Sequence, residues 1–169
     1  MSVVLPARAL STDAFAPFGR VLGTPSRPAD ADGAGWRWWG ETATLAAADR
    51  PYGVGRLELA PVALCFRWAE RHQRSEELIL PATDCLLYVA EPAGAGLPPL
   101  DTFCVFHVPA GAGVILARGV WHGAPLAVAE PGTAVVLLLE GSGREDTEAV
   151  RFDETPVNID PGSIPHARR

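Results

Sequence analysis

The stretch Val62-Ala63-Leu64-Cys65-Phe66-Arg67-Trp68-Ala69-Glu70-Arg71-His72, followed after Gln73-Arg74-Ser75 by Glu76-Glu77-Leu78-Ile79-Leu80, reads as two strands joined by a short turn. Residues two apart in a strand share a face. Val62, Leu64, Phe66 and Trp68 therefore share the face of Glu70 and His72, which marks that face as interior, and Arg71 points away. A carboxylate and an imidazole ending an inward apolar stripe are costly to bury unless they are paired or bound to a metal. One of Glu76 and Glu77 faces inward at the start of the second strand, and alternation alone leaves the choice open.

Outward from this pair the pattern repeats. Candidate strands fall at 36–45, 54–60, 62–70, 76–80, 84–90, 101–108, 113–117, 121–128 and 133–139, bounded by breaks such as Pro51-Tyr52-Gly53, Pro109-Ala110-Gly111 and Pro131-Gly132. Many short strands at nearly regular spacing, in a chain with 17 Gly and 16 Pro, define an all-β sandwich or barrel. Ser11-Thr12-Asp13-Ala14-Phe15 reads as a short capped helix ended near Gly19, and Thr44–Asp49 as about one turn. Residues 1–140 form the barrel domain. The polar segment 141–169, with Pro156, Pro161 and Pro165, reads as an irregular tail on the barrel or on a partner subunit, with one edge strand around Ala149–Phe152.

Composition excludes several functions. A net charge of −6 lacks the basic face that nucleic acid requires. No apolar run approaches the roughly 20 residues that span a bilayer, and Met1 to Leu10 lacks a charged n-region, so a cytoplasmic protein is expected. Every cation is arginine, the better carboxylate clamp. Cys65, Cys85 and Cys104 show no CxxC spacing and read as reduced core thiols, with Cys104 the one weak nucleophile candidate.

The second limb of the cluster is Gly111-Ala112-Gly113-Val114 followed by Arg118-Gly119-Val120-Trp121-His122, a glycine-rich turn and a strand ending in Trp-His that aims His122 into the barrel. Two imidazoles and two carboxylates meeting in a barrel make a metal site or an acid/base site. Blander readings stand beside these: a buried ion pair for Glu70 and His72, a solvated strand start for Glu77, a core histidine for His122, wall rather than ligand-stacking for Trp121 and a surface position for Arg118. His107 reads as a satisfied barrel histidine and His166 as solvated. Trp36-Arg37-Trp38-Trp39 reads as a dimer surface, a lid or core packing.

The order of these elements resembles the cupin pattern, with Glu70 in the place of its first histidine and His72, Glu77 and His122 in the other three. More closely, the chain resembles the ureidoglycolate lyase family. The matching stretches are Phe15-Ala16-Pro17-Phe18-Gly19, Glu70-Arg71-His72, Ile79-Leu80-Pro81, Val89-Ala90, Pro99 with Asp101, Phe106, Gly111-x-Gly113-Val114 and Val120-Trp121-His122 with Pro125-Leu126. The resemblance implies a cupin-like β-barrel or jelly roll with short peripheral helices. It implies a cytoplasmic, often dimeric enzyme that eliminates urea from ureidoglycolate to leave glyoxylate, a step of purine and allantoin breakdown. In that setting Glu70, His72 and His122 are the catalytic groups, and Glu70, His72, Glu77 and His122 the metal ligands. Arg118 and Trp121 bind a small carboxylate substrate. Mixed N/O ligands suit Mn, Fe, Ni or Zn, and no organic cofactor is expected. Other metal-dependent cupin chemistry, an oxygenase or isomerase, and non-catalytic binding of a small acid are the alternatives. The chain departs from the family at Glu77, where a glutamine is usual. It also lacks an arginine near Cys104, a tyrosine near Leu116 and the Asp-Arg pair that would stand at Leu139-Glu140.

Overall fold

The computed structural model describes residues 3–23 and 25–162; His166 lies outside them. The elements run β1 (Val3–Ala9), α1 (Thr12–Phe15), β2 (Gly19–Leu22), β3 (Ala31–Gly33), β4 (Trp36–Trp38), β5 (Tyr52–Leu59), β6 (Cys65–Phe66), β7 (Trp68–His72) and β8 (Glu77–Pro81). They continue as β9 (Cys85–Ala90), a single 3-10 turn at Leu100–Thr102, β10 (Cys104–Val108), β11 (Gly113–Leu116), β12 (Trp121–His122), β13 (Leu126–Ala127), β14 (Gly132–Leu139), α2 (Ser142–Glu145), β15 (Thr147–Arg151) and β16 (Val157–Asp160). Two curled sheets form a half-barrel, as expected of an all-β cupin-like fold. A nine-stranded sheet runs β15-β7-β12-β9-β10-β1-β16-β6, with β13 also on β9, and a five-stranded sheet runs β2-β11-β8-β14-β5. Among the described residues no helix is long and apolar enough to cross a membrane.

Two apolar clusters explain the sequence pattern. One fills the space between the sheets with Phe15, Phe18, Ile79, Leu87, Val89, Phe106 and Val114. The other lies on the opposite face of the larger sheet, around Leu86, Tyr88, Val105, Trp121 and Val157. That sheet curls back over its own face, so that Phe66 stacks on Tyr88 with ring centroids 3.9 Å apart. Strand β9 lies between both clusters and is buried at all six positions, which is why Cys85-Leu86-Leu87-Tyr88-Val89-Ala90 runs apolar without alternation.

Several sequence expectations need correction. The stripe from Val62 to His72 is not one strand. It breaks at Arg67: β6 pairs with β16, whereas β7 pairs with β12 and β15. Val62 is largely exposed, because the chain has not yet entered a sheet there. Arg71 does point away from Glu70 and His72, but the curled sheet covers that face too and Arg71 is buried. Of the proposed strand 36–45 only Trp36–Trp38 forms, in a two-stranded ribbon with β3. Trp36 and Trp38 are exposed on it, which rules out core packing for both. Thr44–Asp49 is not helical. It is pinned in place: the Ala46 amide donates to Glu76 at 2.7 Å, and the Ala46 carbonyl accepts the Tyr52 hydroxyl. The stretch 121–128 divides at Gly123-Ala124-Pro125 into β12 and β13.

The segment after residue 141 is not irregular over its described length. The expected edge strand is present as β15, on β7, and β16 inserts between β1 and β6. The capped helix start does form, with the Ala14 amide donating to the Ser11 hydroxyl at 3.2 Å. The three cysteines are free, and burial pushes the Cys85 thiol up to about 12. His107 is satisfied by Asp84 at 3.1 Å.

Candidate functional site

Strand pairing assembles the site. His122 lies opposite Glu70 in the β12–β7 ladder, and His72 opposite Thr147 in the β7–β15 ladder. Glu77 enters from β8, the first residue of its strand in the facing sheet. The alternation that sends Glu77 into the site sends Glu76 to the opposite face of the sheet, where it is buried too and its carboxylate takes Arg20 at 2.9 Å. The choice left open by the sequence is thus resolved in favour of Glu77.

Ligand atoms of Glu70, His72 and His122 all lie within 4.8 Å of one another. Glu77 Oε2 stands 2.8 Å from His122 Nε2 and 3.6 Å from His72 Nε2. Glu77 Oε2 and His122 Nε2 form a buried ion pair, although they are not aligned as a regular hydrogen bond and neither atom has another partner. The outer ring nitrogens are accounted for. His122 Nδ1 donates to the Val120 carbonyl at 3.0 Å. His72 Nδ1 faces the Thr147 hydroxyl at 3.4 Å, which itself donates to the Ser142 carbonyl. Each imidazole therefore turns Nε2, as a lone pair or a proton, into the cluster.

The electrostatics follow. Burial alone would lower His122, but the neighbouring Glu77 carboxylate outweighs it and holds this imidazole above its ordinary value. Burial alone would raise Glu77, but the charge of His122 outweighs it and holds the carboxyl down. His72 is lowered, by burial first and then by the charge of His122. The cluster thus keeps one proton between Glu77 and His122, where two donor atoms converge, and leaves His72 neutral. A divalent ion at this cluster would have to displace that single proton, because imidazole and carboxylate ligate only when deprotonated.

A cleft of about 240 Å³ opens over Glu70, Glu77 and His122, walled by Ile79, Val136, Leu138 and the strand segment Gly55-Arg56-Leu57. Of the residues expected at the site, the structure brings together Glu70, His72, Glu77 and His122. Trp121 does not join them. It alternates to the opposite face of β12 and is buried in the second cluster under Arg71, whose guanidinium carbon lies 4.6 Å from the ring centroid. Arg118 is exposed in the turn before β12 and does not line the cleft. Thr147 and the Gly55–Leu57 wall carried no sequence signal: one lies in the supposed tail, the other reads as plain strand.

Thr147 is a positioning residue, with a measurable consequence. Thr147→Val leaves His72 Nδ1 without its anchor and should weaken divalent-ion binding roughly tenfold, in the range seen for residues that orient metal-bound histidines. Thr147→Ser should restore it. Calorimetric titration with Mn or Zn measures both, and equal affinities for wild type and Thr147→Val would remove Thr147 from the site.

A curled all-β half-barrel with a histidine and carboxylate cluster at its mouth defines a small cupin-like enzyme. The family model described as ureidoglycolate lyase matches residues 2–160, so the chain belongs to the ureidoglycolate lyase family and is a lyase of that kind. No curated protein matches the chain.

Proposed function

We propose that this enzyme eliminates urea from ureidoglycolate at a divalent metal held by His72, Glu77 and His122, with Glu70 beside it on the partly exposed side as the base. The observation that carries the metal is the convergence of buried ligand atoms: Glu77 Oε2 lies 2.8 Å from His122 Nε2 and 3.6 Å from His72 Nε2, and ligand atoms of Glu70, His72 and His122 lie within 4.8 Å of one another. Charge supports it as well. Glu70 and Glu77 bring two carboxylates to the cleft and the substrate adds a third. The one basic residue of the wall, Arg56, turns its guanidinium to the outer face beside Glu58. A divalent ion held there would offset that charge and lower the pKa of the substrate hydroxyl.

The residues supply the rest. Elimination breaks the bond between the carbinol carbon and the ureido nitrogen as the hydroxyl oxygen becomes the glyoxylate carbonyl. One proton leaves the hydroxyl and one arrives on the departing nitrogen. Glu70 is cleft-facing, and its carboxylate makes no hydrogen bond to any described residue. In this proposal it takes the first proton and returns it to the leaving urea. Ile79, Val136 and Leu138 keep bulk water from the reacting carbon. Family membership supports a cytoplasmic enzyme working as a homodimer.

Purified protein should release urea from ureidoglycolate, lose the activity on dialysis against a chelator, and regain it with Mn, Fe, Ni or Zn. No urea with any of these ions would remove the lyase reading. Full activity in chelator-treated, metal-free protein would remove the metal.

A further inference from the structure

The wall of the cleft formed by β5 has an unused recognition element. β5 pairs with β14 along eight consecutive residues and, among the described residues, has no strand on its other side. The direction of its backbone groups follows from one bond beyond the ladder: the Glu140 amide donates to the Pro51 carbonyl at 2.9 Å. In an antiparallel pair such positions alternate. Residues 51, 53, 55, 57 and 59 therefore turn their peptide groups toward β14, and residues 52, 54, 56 and 58 turn theirs away from the sheet. Arg56 lines the cleft, yet its side chain is exposed and 3.7 Å from Glu58. It is the Arg56 backbone that borders the cleft, and no described residue takes its N–H or its C=O.

Gly55 beside it adds a second observation. Its side-chain direction is the inner face, shared with Leu57 and opposite Val136. Its φ is not left-handed, and an added Cβ would meet only ordinary contacts, the nearest at 3.6 Å. Neither the backbone nor the packing requires glycine here. A strand glycine can mark a bulge, a bend or a close approach to the backbone, and of the two in β5, Gly53 and Gly55, it is Gly55 that lines the cleft.

Building on the lyase reading above, we infer that the free N–H and C=O of Arg56 form the subsite for the ureido end of the substrate. The ureido oxygen accepts the Arg56 N–H, and a ureido N–H donates to the Arg56 C=O, as one more strand would pair at this edge. The missing side chain of Gly55 admits the planar group. The cluster then grips the hydroxy-acid end, and β5 distinguishes a ureido acid from a plain hydroxy acid.

Proline tests this directly, because the N–H it removes at position 56 is not part of the ladder, and edge strands accept proline there. R56P should raise KM for ureidoglycolate roughly tenfold, the loss expected for one hydrogen bond to substrate. It should leave inhibition by glycolate, which has the hydroxy-acid end and no ureido group, unchanged. V54P removes the equivalent edge N–H outside the cleft and should leave KM unaltered. Should R56P fail to fold by circular dichroism, G55V decides: it should keep or raise the melting temperature while raising KM. Wild type that releases urea, with R56P or G55V folded and unaltered in KM, would overturn the subsite alone. An R56Q variant as impaired as R56P would move the effect to the guanidinium and overturn it too. A wild type that releases no urea would instead overturn the lyase reading.

Discussion

Glu77→Gln should bind divalent ions roughly a hundredfold or more weakly than wild type, because an anionic ligand becomes a neutral one at a buried position. The substitution keeps shape and volume, so the barrel remains. Glu76→Gln, one residue away, provides the contrast. Glu76 holds Arg20 and the Ala46 amide on the opposite face of the sheet, so its loss should lower stability and leave metal affinity alone. Metal-free protein offers a second readout. His122 is raised above its ordinary 6.5, so its contribution to stability is full below pH 6.5 and is lost as pH rises through the folded value. Glu77 is depressed below its ordinary 4.5, so its contribution is full above pH 4.5 and is lost as pH falls through the folded value. The stability advantage of metal-free wild type over Glu77→Gln should therefore be greatest between pH 4.5 and 6.5 and shrink on either side. Equal metal affinity in the two proteins would mean that Glu77 serves only to pair His122.

What the sequence made legible follows from how local each signal is. The shared face of Glu70 and His72 depends on two-residue alternation within a single short strand, and it holds. The Gly-rich turn and Val120-Trp121-His122 are equally local, and His122 arrives where expected. The upstream stripe failed because alternation carries no information about which neighbour a strand takes. The exchange of β16 for β12 and β15 at Arg67 is decided by residues far along the chain. The first strand was missed for a related reason: Pro6 and Arg8 argue against a strand locally, yet β1 lies parallel between β10 and β16 and gains its order from them. Arg118 is expected at the site as a clamp for the substrate carboxylate, but it is exposed in the turn before β12 and does not line the cleft. The edge groups of β5 have no side-chain signature at all, since a backbone N–H belongs to every residue except proline.

Arg71→Ala should destabilise the protein by about 2–4 kcal/mol, from loss of a buried cation–π contact and charge-assisted hydrogen bonds together. Arg71 donates through Nε to Glu148 at 2.8 Å and through a terminal nitrogen to the Gly94 carbonyl at 3.2 Å, and it covers the Trp121 ring. The Glu148 side chain is 45% exposed, so the Coulomb part is screened and most of the loss comes from the hydrogen bonds and the ring. Arg71→Lys should recover only part of it, because an ammonium cannot serve Glu148 and Gly94 as a planar fork while lying over the indole. The effect should reach the metal as well. Trp121 precedes His122 in a two-residue strand, and Arg71 lies between Glu70 and His72, so one guanidinium braces the far side of both limbs of the cluster. Loosening it should weaken ion binding in protein that is still folded, with Arg71→Lys intermediate. Chemical denaturation and metal titration of the same samples measure the two effects. A variant that loses stability but binds the ion as wild type does would confine Arg71 to the core.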